Sequence, residues 1–94
     1  MKNETYIIGI ANSEANGAHI EKVFGSEKDV KKYLSKMIRE DKKNNIDSWD
    51  MGSTNARDLA VESDGTIQGY NIFNDCHIDY TAIPERLVKT LILE

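Results

Sequence analysis

An apolar stripe with helical spacing is the feature that most constrains the fold of this chain. The stripe recurs at positions i, i+3, i+4, i+7 and i+8, a pattern that buries one side of an α-helix. Its members are Val30, Tyr33, Leu34, Met37 and Ile38. Just before it, Ser26 is followed three residues later by Asp29, which has the form of a capping box. The pattern predicts a helix over residues 27–43.

The segments before this helix are typical of β-strands. Residues 5–11 (TYIIGIA) and 18–24 (AHIEKVF) are short and rich in β-forming side chains. Residues 12–17 lie between them and contain the Asn, Ser and Gly that favour turns. We therefore expect an antiparallel hairpin, with a connecting loop that is long enough to carry contacts.

Three further strands are predicted after the helix. Residues 57–62 and 66–73 flank a Ser-Asp-Gly turn and form a second hairpin. Residues 76–82 (CHIDYTA) alternate with a period of two and form a fifth strand. Residues 44–56, between the helix and the second hairpin, are interpreted as an irregular connection around Trp49, whose indole is expected to pack at the edge of the core.

The C-terminal segment favours a helix over a strand. Pro84 suits the first position of a helix, and an apolar stripe follows the helical period. The stripe consists of Ile83, Leu87, Val88, Leu91 and Ile92. The predicted order β-β-α-β-β-β-α indicates a single α+β domain spanning residues 1–94. We expect an antiparallel sheet of about five strands, with both helices packed on one face.

Composition limits the functional classes. The 94 residues are 39% hydrophobic and 30% charged, which is typical of a soluble globular domain. The N-terminus lacks the apolar core of a signal peptide, so a cytoplasmic protein with no membrane association is expected. A single cysteine cannot form an internal disulfide, and the absence of a C-x-x-C pair argues against a structural zinc site. No cofactor or metal is predicted.

The stretch NDCHIDY, residues 74–80, resembles a row of metal ligands. On a strand, Asp75, His77 and Asp79 would project from one face about 7 Å apart, too far for all three to reach one metal ion. Cys76 would face the core instead and is expected to behave as a small apolar side chain. The interpretation favoured here is a solvated face. A binding surface, or acid-base or metal chemistry centred on His77, is the alternative.

The charge of the chain is unevenly distributed. The net charge is −4, yet residues 26–43 carry seven basic and four acidic side chains. The helical period places the basic side chains on one outward face. The candidates on this face are Lys28, Lys32, Lys36, Arg39 and Lys43. The face could contact nucleic acid, but it lacks interleaved aromatic residues and the surrounding acidity would repel a long polyanion. An acidic protein surface would fit it better.

These observations predict a small binding or regulatory protein that occupies a surface of a larger protein partner. None of the common catalytic or phosphate-binding motifs occurs in the chain, which argues against an enzyme. The predicted contact residues are Asp47, Trp49, Asp50, Asp75, His77 and Asp79. The size and acidity are similar to those of phage- or plasmid-encoded inhibitors of enzymes that handle nucleic acid. Composition is also compatible with homo-oligomerisation.

Overall fold

The computed structural model describes residues 2–14 and 18–88, which contain five strands, two α-helices and a short 3-10 helix. In chain order these elements are β1 (Asn3–Asn12), β2 (Ala18–Ser26), α1 (Glu27–Asn44), the 3-10 helix (Ile46–Ser48), β3 (Ala60–Val61), β4 (Ile67–Ile72), β5 (His77–Pro84) and α2 (Glu85–Val88). The α+β class and the order of elements are those predicted from the sequence.

The five strands form one antiparallel sheet in the order β2-β1-β5-β4-β3. Both predicted hairpins are present, and β5 lies between them as a neighbour of β1 and of β4. The first and last strands of the chain are therefore adjacent at the middle of the sheet. This pairing joins residues far apart in sequence, such as Ile8 and Ala82.

Helix α1 begins at the predicted capping box. The Ser26 side chain accepts a hydrogen bond from the Asp29 backbone N–H at 3.2 Å, and the Asp29 carboxylate accepts one from the Ser26 N–H at 3.3 Å. The hydrogen bond from Ser26 lowers the pKa of Asp29. Two orphan donors of the first turn are thus satisfied, and the acidic side chain also interacts favourably with the positive end of the helix dipole.

Replacing Ser26 by alanine should lower the free energy of unfolding by about 1 kcal/mol, because it removes the side-chain acceptor for the first turn. Urea unfolding of the variant, compared with Ser48→Ala, provides the measurement. Ser48 lies in the 3-10 helix and its hydroxyl bonds only at 3.3 Å to the carbonyl of Asn45. Equal losses from the two variants would contradict a specific role for the cap.

The apolar stripe of α1 packs on one face of the sheet and forms the core. Helix residues Val30, Leu34 and Ile38 are almost fully buried there. They are joined by inward-facing side chains of the strands, namely Tyr6, Ile8, Ile67, Ile78, Tyr80 and Ala82. Strand β5 alternates as predicted, with Ile78 and Tyr80 buried and His77 and Asp79 exposed.

The irregular segment after α1 follows the outer edge of β4. The backbone N–H of Asp50 donates to the carbonyl of Ile72 at 2.8 Å, and that of Thr54 donates to the carbonyl of Tyr70 at 2.9 Å. The Thr54 hydroxyl in turn accepts from the Tyr70 N–H at 3.0 Å. Together with β3, this segment covers one edge of the sheet, while β2 forms the other edge.

Most elements differ from the predicted boundaries by one or two residues, and the differences in β3, at the end of β5 and at the start of α2 change the assignment of particular residues. The strand predicted over residues 57–62 is reduced to Ala60–Val61, because residues 56–58 form a turn held by an Asp58 N–H bond to the carbonyl of Asn55. Strand β5 continues through Pro84, so the helix begins one residue later than predicted and Ile83 lies in the strand. The four residues of α2 contact β1 and β5. The stripe positions Leu91 and Ile92 lie outside the described residues.

A buried polar network ties α1 to the sheet. The Asn71 side chain is fully buried and donates to the carbonyl of Ile38 at 3.1 Å and to the Tyr80 hydroxyl at 3.0 Å. Its oxygen accepts from the indole N–H of Trp49 at 3.1 Å. The Tyr80 hydroxyl donates onward to the Asp41 carboxylate. Burial and this carboxylate raise the pKa of Tyr80 well above its ordinary value, so the phenol stays protonated as a donor.

Candidate functional site

His77 and Asp79 lie on the face of the sheet away from α1, as the alternation predicted. His77 Nε2 lies 3.0 Å from Asp79 Oδ1, so the two side chains bend towards each other along the strand. The ring of Tyr70, on the neighbouring strand β4, stacks on the imidazole with centroids 5.6 Å apart. The pair is exposed to solvent and is held on one side by this stacking.

The other predicted contact residues gather at the end of the sheet where β4 turns into β5. Trp49 forms an isolated β-bridge with Phe73, and the Asn74 N–H donates to the carbonyl of Ser48 at 2.9 Å. These bonds bring the 3-10 helix beside the β4–β5 turn. The side chains of Asp47, Asp50 and Asp75 are exposed there.

His19 does not join these groups. It lies on the α1-facing side of the edge strand β2, where its Nε2 is 2.5 Å from the Glu21 carboxylate. Glu21 also accepts a hydrogen bond from the Tyr33 hydroxyl of α1. The Tyr33 bond, followed by the His19 bond, lowers the pKa of Glu21. Within residues 2–14 and 18–88, no group of three or more His, Cys, Asp and Glu side chains is arranged to hold a metal ion.

Cys76 is half-buried beside the core, as predicted. Burial raises the pKa of its thiol, and the nearby carboxylates of Asp75 and Glu14 raise the pKa further. A raised pKa lowers the fraction of reactive thiolate at neutral pH.

An extended concave surface runs along the outer side of α1. Two grooves of about 740 and 840 Å³ share the side chains of Arg39, Ala56 and Arg57 and therefore adjoin. We call the combined surface the basic trough. Its cationic side chains are Lys28, Lys31, Lys32, Lys36, Arg39, Lys42 and Arg57.

One wall of the trough is formed by the loop around Ala56, and a hydrogen bond from the middle of α1 holds this loop in place. The buried Ser35 hydroxyl donates to the carbonyl of Ala56 at 2.5 Å, which holds the loop against the helix. This contact brings Arg57 to the predicted basic face. Met51, which is 89% exposed, lies on the same loop and lines the groove that also contains Trp49.

One aromatic side chain lines the trough, and it is already engaged. The Lys42 ammonium lies 3.9 Å from the centre of the Trp49 ring, in cation–π geometry, and the indole N–H is bonded to Asn71. The prediction that the indole packs at the edge of the core is confirmed.

The helical period predicts the basic face of α1 but not the trough. All five predicted basic residues, from Lys28 to Lys43, are exposed. Arg57 and Met51 were missed, because the first was assigned to a strand and the second to a loop without a defined path. Nothing local to either residue predicts its approach to the helix, which depends on contacts between distant segments.

No helix in the described part of the chain is long and apolar enough to cross a membrane. Compared with known proteins, the chain matches no family model, no curated protein and no solved structure.

Proposed function

We propose that this protein is a non-enzymatic binding protein that occupies a surface of a larger protein, and that the basic trough receives an acidic segment of that partner. One observation carries the proposal. Among the described residues, no trough cation lies within 4.0 Å of a carboxylate oxygen, whereas two cations elsewhere do. Lys22 pairs with Glu85 at 2.8 Å and Arg86 with Glu4 at 3.1 Å.

The trough combines cationic side chains with apolar borders, and this combination favours a protein ligand. Met51 is 89% exposed at one border, and Ile46 is 54% exposed beside Arg39, Lys42 and Lys43. An amphipathic acidic segment would place carboxylates against the cations and apolar side chains against these two residues. Opposite charges would also accelerate association of such a partner.

Nucleic acid is the less favoured ligand. Single-stranded nucleic acid gains much of its affinity from bases stacked on aromatic rings, and the ring of Trp49 is covered by Lys42. The net charge of −4 works against a long polyanion. The expectation that the partner is itself an enzyme that handles nucleic acid, inhibited in the manner of phage- or plasmid-encoded proteins, stays a prediction.

The proposal is tested with a fluorescent peptide of alternating glutamate and leucine pairs and with a thymidine oligonucleotide of equal charge. Fluorescence anisotropy should give tighter binding of the peptide. Arg39→Glu should weaken peptide binding about tenfold, because Arg39 lies where the two grooves meet. Lys2→Glu changes the net charge equally outside the trough and is the matched control. Tighter binding of the oligonucleotide, or equal losses from both variants, would contradict the proposal.

A further inference from the structure

The face of the sheet away from α1 is only partly covered among the described residues, where the Glu85 carboxylate at the start of α2 reaches Lys22 at 2.8 Å. We call it the open face. Every side chain on it is exposed or half-buried. From β2 towards β4 it consists of Ala18, Ile20, Lys22, Phe24, Thr5, Ile7, Gly9, Ala11, His77, Asp79, Thr81, Ile83, Gln68, Tyr70 and Ile72. Charged groups are few and apolar side chains predominate, a composition found at the centres of homodimer interfaces.

Two exposed apolar side chains on the open face lie beside a depression. Ile20 and Phe24 on the edge strand β2 are 70% and 72% exposed. Gly9, the partner of Ile20 on β1, has no atom within 4 Å of the position that a Cβ would occupy. The face therefore carries protruding side chains and a shallow hollow next to each other, so it is complementary to a copy of itself.

We propose that the open face binds the open face of a second copy of this chain. The four strands of the open face, β1, β2, β5 and β4, are 10, 9, 8 and 6 residues long. At about 3.4 Å per residue and about 4.8 Å between strands they provide roughly 540 Å² on each copy. Two copies together would bury about 1,100 Å², which is above the minimum of about 1,000 Å² expected of a specific protein interface. Two-fold dimers are the commonest soluble oligomers, and their interfaces use the same patch on both copies.

The charges of the open face specify how the two copies are related. On β2, Lys22 pairs with Ile7, two residues before Gly9 on β1. On β5, on the other side of β1, Asp79 pairs with Ala11, two residues after Gly9. A two-fold axis in the interface, passing through Gly9 and perpendicular to the line from Lys22 to Asp79, brings each Lys22 over the Asp79 of the other copy. The same rotation brings Phe24 over Tyr70 of the other copy, an aromatic pair.

This dimer is independent of the basic trough, which lies on the α1 side of the sheet. Both copies would keep their troughs exposed on opposite outer surfaces. A dimer could therefore bind two acidic segments at once, and Arg39→Glu should leave its dissociation constant unchanged.

Sedimentation equilibrium of the full chain tests the dimer. The wild type should have twice the monomer mass at micromolar concentrations. Ile20→Thr/Phe24→Thr removes the protruding side chains while keeping good β-formers, and Gly9→Lys places a charge in the hollow. Each should raise the dissociation constant at least about tenfold, because the first removes protruding apolar contacts and the second places bulk and charge at the two-fold axis. Met51→Thr changes an apolar residue on the other side that is more exposed, at 89%, and should have no effect.

A wild-type monomer across this range would overturn the proposal, as would dimers insensitive to both sets of changes. Circular dichroism and urea unfolding establish that each variant is folded; the two protruding side chains are over two-thirds exposed, so the monomer loses little packing. The relative orientation has its own test. Asp79→Lys should weaken the dimer by placing lysine over Lys22, and adding Lys22→Gln should restore most of the affinity, because it removes that repulsion without placing a second carboxylate beside Glu85. A dimer that the second change fails to restore would overturn the proposed axis.

Discussion

Asn71→Leu should lower the free energy of unfolding by about 3 kcal/mol. Leucine has the same number and branching of side-chain heavy atoms as asparagine, so the substitution leaves no cavity and the loss comes from hydrogen bonds. The substitution leaves the indole N–H of Trp49 without its acceptor and removes the donors to Ile38 and Tyr80. Each unsatisfied buried group costs about 1–3 kcal/mol, and the Tyr80 hydroxyl keeps its bond to Asp41.

Urea unfolding provides the measurement, with Asn74→Leu as the matched control at an exposed position. The control should change the free energy of unfolding by less than about 0.5 kcal/mol. A double-mutant cycle with Trp49→Phe isolates the indole bond, and the coupling energy should be about 1 kcal/mol. Losses of the same size from Asn71→Leu and Asn74→Leu would show that the network contributes nothing.

The second large effect is expected from one substitution made at two strand glycines. Gly69→Val should lower the free energy of unfolding by about 2 kcal/mol. A Cβ at Gly69 would lie 2.7 Å from Leu59 Cδ2 and 3.0 Å from Ile38 Cδ1, inside the packed core. Gly9→Val should instead raise the free energy by about 0.5 kcal/mol, since valine suits a strand and meets open space at this position.

Thermal and urea unfolding at low protein concentration compare the two variants without a contribution from self-association. Opposite signs would confirm that Gly69 faces α1 and that Gly9 faces away from it. A larger loss from Gly9→Val than from Gly69→Val would mean that the two faces of the sheet are assigned the wrong way round.

Local patterns were sufficient where one segment determines its own structure. The spacing from Val30 to Ile38 and the pair formed by Ser26 and Asp29 predicted α1 and its first residue. The alternation in β5 predicted which side of NDCHIDY faces the core. In each case the burial of one side follows from a period that the segment itself contains.

The pattern of β2 was not sufficient, because alternation alone does not identify the side that meets the helix. The more apolar side, with Ile20 and Phe24, faces away from α1. The side with His19 and Glu21 faces towards it, and Tyr33 satisfies the glutamate by a hydrogen bond across the edge of the helix. This arrangement depends on how far α1 extends over the sheet, which is a property of the assembled fold.

The basic trough was predictable only in part for a similar reason. The basic face of α1 follows from the helical period, but the opposite wall depends on the bonds of Ser35 to Ala56 and of Thr54 to Tyr70. Both bonds join segments that are separated by at least sixteen residues. The contacts of His77 with Asp79 and of His19 with Glu21, by contrast, each join side chains two residues apart on one strand, which the alternation of that strand places on the same face.

The pairing of β1 with β5 determines when this chain can fold during its synthesis. The β1–β2 hairpin and α1 are complete within the first half of the sequence, but Ile8 and Tyr6 gain their neighbours Ala82 and Pro84 only near its end. Because the chain leaves the ribosome from its N-terminus, β1 cannot complete its pairing until β5 has been synthesised and has emerged. Long-range pairing of this kind slows folding, and the waiting N-terminal half exposes apolar strands that chaperones recognise.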